Sequence, residues 1–334
     1  MIKLPQDMMK GEVYDEKISG IELIQTHISW VFLTGEFAYK VKKPVNFGFL
    51  DFSTLEQRKK FCRREFEVNS KFSPQLYLDV LPITGNEKGI RINGDGETVE
   101  YCIKMKQIPQ ENLMTKLLEG GKIGKKDIDR IIDVMLRYYK QAESGPDVEK
   151  NATFEITEFN WDENFSQTED FRDITIKEKD FNFIKRKTED FMRKNKSLFE
   201  KRIKDRRVKW CHGDLHSGNI FIENGNVFIF DAIEFNERFA CSDIANDVAF
   251  LAMDLDYRGF PELGEYLVRK YVERSGDPEI MKLIDFYKCY RAYVRGKVFS
   301  FRLNDESIQD AEKDTATIEA RKYFELSGKY AEKL

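Results

Sequence analysis

The 334-residue sequence holds only three histidines, His27, His212 and His216, and five cysteines with no Cys-x-x-Cys among them. A structural zinc domain needs several closely spaced Cys or His ligands, and that scarcity excludes one. Cys62, Cys102, Cys211, Cys241 and Cys289 are odd in number and scattered through apolar settings. They read as free thiols of a reducing compartment, the cytoplasm. No run of about 18 apolar residues occurs, and residues 1–10 lack an apolar core, so neither a membrane span nor a secretory signal is expected. Charge of one sign is lacking too: 55 basic residues stand against 59 acidic ones. That balance excludes a general nucleic-acid binder. The one locally basic stretch, 177–209, has 14 Lys/Arg against 6 Asp/Glu with apolar residues at helical spacing. It reads as the solvated face of an amphipathic helix. What the chain has in quantity is aromatic residues, 27 Phe and 14 Tyr, which exclude disorder. Its length suggests two domains or lobes and a core that needs no staple.

The first third reads as strands plus one helix. Strand-like runs fall at 21–25, 30–33 and 37–42, with turns at Thr26-His27 and Thr34-Gly35-Glu36. Ser53-Thr54-Leu55-Glu56 has the form of a capping box opening a helix to about Phe72. Strands resume at 80–83, Asn93-Gly94 signals a hairpin, and a strand follows from Thr98 to about Met105. Thereafter the pattern is mostly helical. Helices are expected at 110–119 and 125–142, an irregular acidic segment at 151–173, and the basic helix after it. A strand at 208–211 leads into His212, and a hairpin turning at Asn224-Gly225 joins strands at 220–222 and 227–230. Four helices, near 243–256, 262–275, 279–303 and 307–331, close the chain. The expectation is an α+β protein in two lobes, a β-rich one over 1–105 and a mainly helical one over 106–334. Oligomeric state leaves no signal in the sequence.

The strongest motif is His212-Gly213-Asp214-Leu215-His216-Ser217-Gly218-Asn219, followed by an apolar strand that ends in Asp231. An Asp, an Asn five residues on and a strand-final Asp form the layout of a kinase catalytic loop and its metal-binding Asp. Phosphoryl transfer needs phosphate charge neutralised and the acceptor held in line, and asks for little covalent chemistry from the protein. Asp214 is the candidate catalytic base for an acceptor hydroxyl. Asn219 and Asp231 offer the hard oxygens that Mg²⁺ prefers. A metal site from His212 and His216 is a weaker rival, because Gly213 and Gly218 speak against the helix that an i, i+4 pair would need. These two histidines are expected to support the loop.

The first lobe has matching parts. Phe37-Ala38-Tyr39-Lys40 has the spacing of Val-Ala-Ile-Lys on a third strand. Lys40 is the candidate lysine for the nucleotide phosphates, with Lys42, on the same strand face, as competitor. Glu65 in the next helix is its expected partner, with Glu67 as alternative. The turn Thr26-His27-Ile28-Ser29 has no glycine, so phosphate contact there would fall to backbone N–H groups and the Ser29 hydroxyl. The lobe connection near Lys104-Met105-Lys106 would offer backbone groups to the adenine edge, with a core position as the alternative for Met105. The Gly-rich run at 120–126 lacks Walker A spacing and its Ser/Thr.

The loop 212–219, Asp231 and the helix around Asp243-Ile244-Ala245-Asn246-Asp247 resemble the aminoglycoside phosphotransferase-like family of small-molecule kinases. The runs at 26–33, 39–44, 48–56 and 231–236 resemble most closely an uncharacterised prokaryotic branch of it. In some relatives a P-loop domain follows; this sequence, without a Walker A, looks like a stand-alone kinase-like domain. The resemblance implies a two-lobed protein-kinase-like fold that uses ATP or GTP with Mg²⁺. It carries over Asp214 as base, Asn219 and Asp231 as Mg²⁺ ligands, Lys40 as phosphate lysine and Glu65 as its partner. Gly213 replaces the Arg of His-Arg-Asp and no Ala-Pro-Glu follows Asp231, which favours a small hydroxylated acceptor over a protein. The acidic stretch 155–173, with Glu234 and Asp247 as further contacts, points to a cationic acceptor. A nucleotide-binding pseudokinase-like sensor or scaffold, and a protein kinase or autokinase, are the alternatives.

Overall fold

A computed structural model of the chain describes residues 4–16, 18, 20–48, 50–305 and 308–334. Phe49, inside the run at 48–56, and Ser307, at the start of the last expected helix, lie outside the described residues. In chain order the main elements are β1 (Glu22–Gln25), β2 (Ser29–Leu33), β3 (Phe37–Lys42), α1 (Leu55–Phe72), β4 (Tyr77–Asn86), β5 (Gly89–Ile92) and β6 (Glu97–Lys106). Then come α2 (Met114–Glu119), α3 (Lys125–Gln141), α4 (Phe154–Thr168), α5 (Glu178–Lys204), β7 (Val208–Trp210), β8 (Ile220–Glu223), β9 (Asn226–Ile229) and β10 (Cys241–Asp243). Helices α6 (Ile244–Tyr257), α7 (Pro261–Ser275), α8 (Ile280–Phe301) and α9 (Asp310–Ala331) complete the chain. The architecture is α+β. Among the described residues no helix is long and apolar enough to cross a membrane.

The chain forms two compact units. The first comprises Met1–Gly121 and Gly218–Asn236, the second Lys122–Ser217 and Glu237–Leu334. The first unit thus runs past residue 105 and takes in the β8–β9 hairpin.

In the first unit an antiparallel sheet has the order β1-β2-β3-β6-β4-β5. Residues paired across an antiparallel ladder point to the same face. One face carries Phe32, Tyr39, Val41 and Cys102, covered by Met8, Val13 and Tyr14. The other carries Leu33, Ala38, Ile103 and Met105, packed with Cys62 of α1 and with Phe221 and Phe228 of the β8–β9 hairpin. Side chains alternate along β3. Lys40 and Lys42 therefore share the α1 face with Ala38. Helix α1 is capped by Thr54, whose hydroxyl accepts the Gln57 N–H at 3.2 Å. The cap lies one residue after the expected Ser53, whose own N–H is taken by Asp51 Oδ1.

Asn93-Gly94 does not make the expected hairpin. Strands β5 and β6 both pair with β4, and the hairpin lies between β4 and β5, with Asn86 opposite Gly89. Asn93 adopts φ +53° and donates its N–H to Pro82 O at 2.7 Å. The turn residue is real, but the chain there passes across β4 to its other side. At Asn224-Gly225 both residues have positive φ, and Ile220 pairs with Ile229 in a tight hairpin, as the sequence indicates.

In the second unit the segment expected to be irregular holds the helix α4. Its N-cap is Thr153, whose hydroxyl accepts the Ile156 N–H. Trp161 and Phe165 stack and meet Tyr293 of α8, with ring centroids 5.6 and 5.1 Å away. Burial of those rings outweighs the acidic composition that suggested a loop. The helix expected at 110–119 begins as a single 3-10 turn at Gln110–Asn112 before α2. Residues 241–243, expected to lead into helix, first pair antiparallel with β7.

Candidate functional site

Each unit holds part of the predicted set. In the first, Lys40 Nζ donates to Glu65 Oε1 at 2.7 Å and also pairs with Asp231 Oδ1. Lys42 Nζ donates to the other Glu65 oxygen at 2.6 Å and pairs with Glu234. Glu65 is therefore shared by two lysines two residues apart on β3. Their surroundings differ. The Lys42 side chain is 1% exposed and lies 4.7 Å from the Phe52 ring centroid. That of Lys40 is 13% exposed and reaches Asp231, itself 49% exposed. Lys40, and not its competitor, is the lysine that joins the predicted metal ligand. Burial pushes Lys40 and Lys42 toward deprotonation, but the facing carboxylates reverse that and hold both charged. Burial likewise pushes Glu65 up, and the two lysines more than reverse it, to about 2.

Asp231 sits at the open end of the β8–β9 hairpin. Ile220 pairs with Ile229 and Phe230 N–H donates to Asn219 O at 3.1 Å, so Asn219 and Asp231 lie at the same end of the hairpin. Asp231 has φ +63°, a left-handed conformation in which Asp and Asn are enriched. It is held there from α1 and β4. Ser73 Oγ–H donates to Ile229 O, Ala232 N–H donates to Asn69 Oδ1 at 2.8 Å, and Asp231 N–H donates to Tyr77 Oη at 3.1 Å. Asn69, Ser73 and Tyr77 escaped the sequence reading. Their signal was polar side chains at Glu65, Asn69 and Ser73, four residues apart, continuing the buried face of α1.

In the second unit the loop 212–217 is anchored by α6. Asp247 accepts the N–H of His212 at 2.6 Å, the N–H of Gly213 at 3.0 Å and the hydroxyl of Tyr139 at 2.6 Å. Two turns later Asp254 accepts the Ser217 N–H at 2.9 Å and its hydroxyl, and pairs with Arg258. Gly213 has φ +80°, a conformation that glycine adopts without steric cost. His212 is buried, and its Nδ1 accepts the Asp214 N–H at 3.3 Å. His216 Nε2 lies 3.4 Å from Asp214 Oδ2, whose side chain is 38% exposed. Burial raises the affinity of Asp214 for a proton. The neighbouring His216, with Arg295 behind it, outweighs that and holds the carboxyl below its usual range. Among the described residues no three or more His, Cys, Asp or Glu side chains gather as a metal centre. Asn219 and Asp231 fit Mg²⁺ as a pair of hard oxygen donors, since that ion keeps several waters.

Residues 118–284, half of the chain, match the phosphotransferase enzyme family. The chain belongs to that family. The matched region spans the loop 212–219, Asp231, Asp247 and Asp254, while Lys40 and Glu65 lie outside it. Choline kinase from Cryptosporidium parvum is similar in structure, with a TM-score of 0.56 and 13% identity over 96% of this chain and 91% of that one. Aminoglycoside 2'-phosphotransferase-IIIa gives 0.54 and 11% over 97% and 99%. A choline/ethanolamine kinase family protein from Mesorhizobium loti gives 0.52 and 13% over 95% and 93%. These likenesses show the kinase-like fold. Uncharacterized proteins of Mycobacterium tuberculosis and Mycobacterium bovis are 31% identical over 87% of this chain, which spans 57% of their length.

Ser29, Met105, Glu234 and Asp247 are all buried. Ser29 is buried opposite Lys42, with its hydroxyl unpartnered among the described residues. The N–H groups of Ile28 and Ser29 both turn inward to Thr26 Oγ1. Met105 is buried between Ala38 and Tyr77 in the sheet, and the next two N–H groups donate to Leu76 O and Glu36 O. Backbone groups at 106–107 are thus spent inside the unit. Glu234 and Asp247, expected as acceptor contacts, are buried and engaged by Lys42 and by the loop backbone. The acidic stretch is helix α4, where Glu163 pairs with Arg238 at 3.0 Å.

Proposed function

We propose that the protein is an ATP- and Mg²⁺-dependent phosphotransferase that moves the γ-phosphoryl group to a hydroxyl of a small molecule. The observation that carries this reading is the cluster in which Lys40 joins both Glu65 and Asp231, in a chain of the phosphotransferase family. Lys40 neutralises charge on the nucleotide phosphates, and Glu65 keeps its ammonium extended toward them. Asn219 and Asp231 would hold Mg²⁺, which supplies charge neutralisation on the transferred group when bound. Asp214, kept ionised, accepts the acceptor's hydroxyl proton. As the acceptor oxygen bonds to the γ-phosphorus, the bond to the β–γ bridging oxygen breaks and ADP leaves. His212 and Asp247 hold the loop that presents Asp214. GTP in place of ATP would use the same residues.

Asp214→Asn tests the reading. Removing the base lowers phosphoryl transfer by about 10²–10⁴-fold while nucleotide binding, followed by calorimetry, persists. Transfer is measured as ADP release against a panel of sugars, amino alcohols and nucleosides. Wild-type turnover in the Asp214→Asn variant would rule out this assignment.

A further inference from the structure

Most arginines inside this protein are matched by a carboxylate. Arg58 pairs with Glu100, Arg202 with Asp243 and Asp277, Arg238 with Glu163, and Arg258 with Asp254. Arg291 and Arg295, one turn apart on α8, are exceptions. Among the described residues neither has a carboxylate within ion-pairing distance.

Arg291 is 7% exposed. Its Nε donates to Asn246 Oδ1 at 2.7 Å, and its guanidinium lies over the rings of Phe250 and Tyr290, 4.7 and 5.6 Å from their centroids. Its two terminal amino groups have no hydrogen-bond partner among the described residues. A buried cation without a counter-charge is costly, and aromatic faces offset only part of that cost. The Phe250 ring on which Arg291 rests is 5.6 Å from the His216 ring, and His216 is 3.4 Å from Asp214. Arg295 leans on Phe299 and Tyr323, 5.4 and 5.7 Å from their centroids. Its charge also bears on Asp214. The acids of α6 that could have neutralised the pair are used elsewhere, Asp247 and Asp254 on the loop backbone and Asp256 on Lys288.

We infer that Arg291 and Arg295 seat an anionic group of the phosphoryl acceptor, which is therefore a hydroxylated molecule that also carries a phosphate or a carboxylate. The planar guanidinium matches either oxyanion through paired N–H···O bonds. The inference rests on the phosphotransferase reading above and gives it a substrate class. It departs from the expectation of a cationic acceptor, two of whose acidic contacts, Glu234 and Asp247, are buried and engaged by Lys42 and by the loop backbone.

The test uses the full chain and four probes: glycerol, glycerol 3-phosphate, glycerate and choline. Binding is measured by calorimetry without nucleotide, and ADP release is measured separately with Mg-ATP. The expected result is that glycerol 3-phosphate, glycerate or both bind at least about tenfold more tightly than glycerol, with choline no tighter than glycerol. Comparing the two anions separates a phosphate seat from a carboxylate seat. Arg295→Gln should weaken anion binding by about 10- to 100-fold, and Arg295→Lys should restore part of it. Arg291→Gln is checked for folding by its melting temperature; if it fails to fold, the Arg295 pair carries the test. A purely structural role would lower the melting temperature and leave the order of probe affinities unchanged. Equal binding of glycerol and the anions, tighter binding of choline, no binding of either anion, or an unchanged anion affinity in Arg295→Gln overturns the inference. Anion selectivity without phosphoryl transfer to any probe would count against the phosphotransferase reading and leave the anion seat standing.

Discussion

The Asp247 carboxylate, in the first turn of α6, accepts the backbone N–H of His212 at 2.6 Å across 35 residues of chain. The same carboxylate takes Gly213 N–H and the Tyr139 hydroxyl, so one buried side chain sets the entry to the loop that carries Asp214. In Asp247→Asn an amide NH₂ or a single oxygen must face donors that now share a carboxylate. Each buried donor left unpaired costs about 1–3 kcal/mol. Urea unfolding should show a loss in that range, with phosphoryl transfer falling in parallel. A variant as stable as wild type would remove the anchoring role.

Lys40 and Lys42 differ by their second partners, and their methionine variants should differ accordingly. Lys42→Met leaves Glu65 and Glu234 facing each other in a buried space, and breaking such a pair typically costs about 3–5 kcal/mol. Lys40→Met leaves the partly exposed Asp231 free to be solvated. We expect Lys42→Met to lower the unfolding midpoint strongly. Lys40→Met should stay folded and lose nucleotide-dependent activity. Paired denaturation and nucleotide-binding measurements check both, and equal destabilisation of the two variants would contradict the assignment.

Burial pushes Glu234 up to about 7; Lys42 opposes this, and Glu65 nearby reinforces it. A carboxyl that holds its proton more tightly when folded than at its ordinary value of 4.5 stabilises the fold below about 4.5. That contribution is lost as pH rises through about 7. Glu65 behaves in the opposite sense: its lowered value gives stability present above 4.5 and lost as pH falls toward 2. The difference in stability between wild type and Glu234→Gln should therefore shift against wild type from pH 4.5 to 7. Urea midpoints across that range measure it, and a flat difference would show that Glu234 is ionised throughout.

Gly213 holds φ +80° while its N–H meets Asp247 Oδ1 at 3.0 Å. An alanine there must adopt a left-handed conformation at a cost of about 1–2 kcal/mol, or turn the N–H away from Asp247. Gly213→Ala should lower stability by that amount, and transfer should fall more than nucleotide affinity does. Thermal unfolding with calorimetric nucleotide binding separates the two effects.

Much of the framework was legible in the residues themselves. The alternation in β3 places Lys40 and Lys42 on one face, Asn224-Gly225 makes the hairpin whose open end carries Asn219 and Asp231, and the spacing of 212–219 marks the loop. Such features depend on neighbours a few residues apart, where period and turn chemistry act directly. Local signals misled where a longer-range contact was stronger. Asn93-Gly94 turns the chain across β4 because β6 pairs between β3 and β4. Most of the acidic 151–173 stretch folds into α4 because Trp161 and Phe165 bury against Tyr293, more than a hundred residues away.

Sequence alone marked out Lys40, Glu65, Asp214, Asn219 and Asp231 as the candidate kinase-like set, because their types and order are visible without knowledge of any contact. Tertiary structure decided which lysine reaches Asp231, that Glu234 and Asp247 are buried and engaged, and that among the described residues Arg291 and Arg295 stand without a paired carboxylate. The reason is physical. A charged side chain takes its role from the partner and burial it meets in space, and those partners lie tens to hundreds of residues apart along the chain.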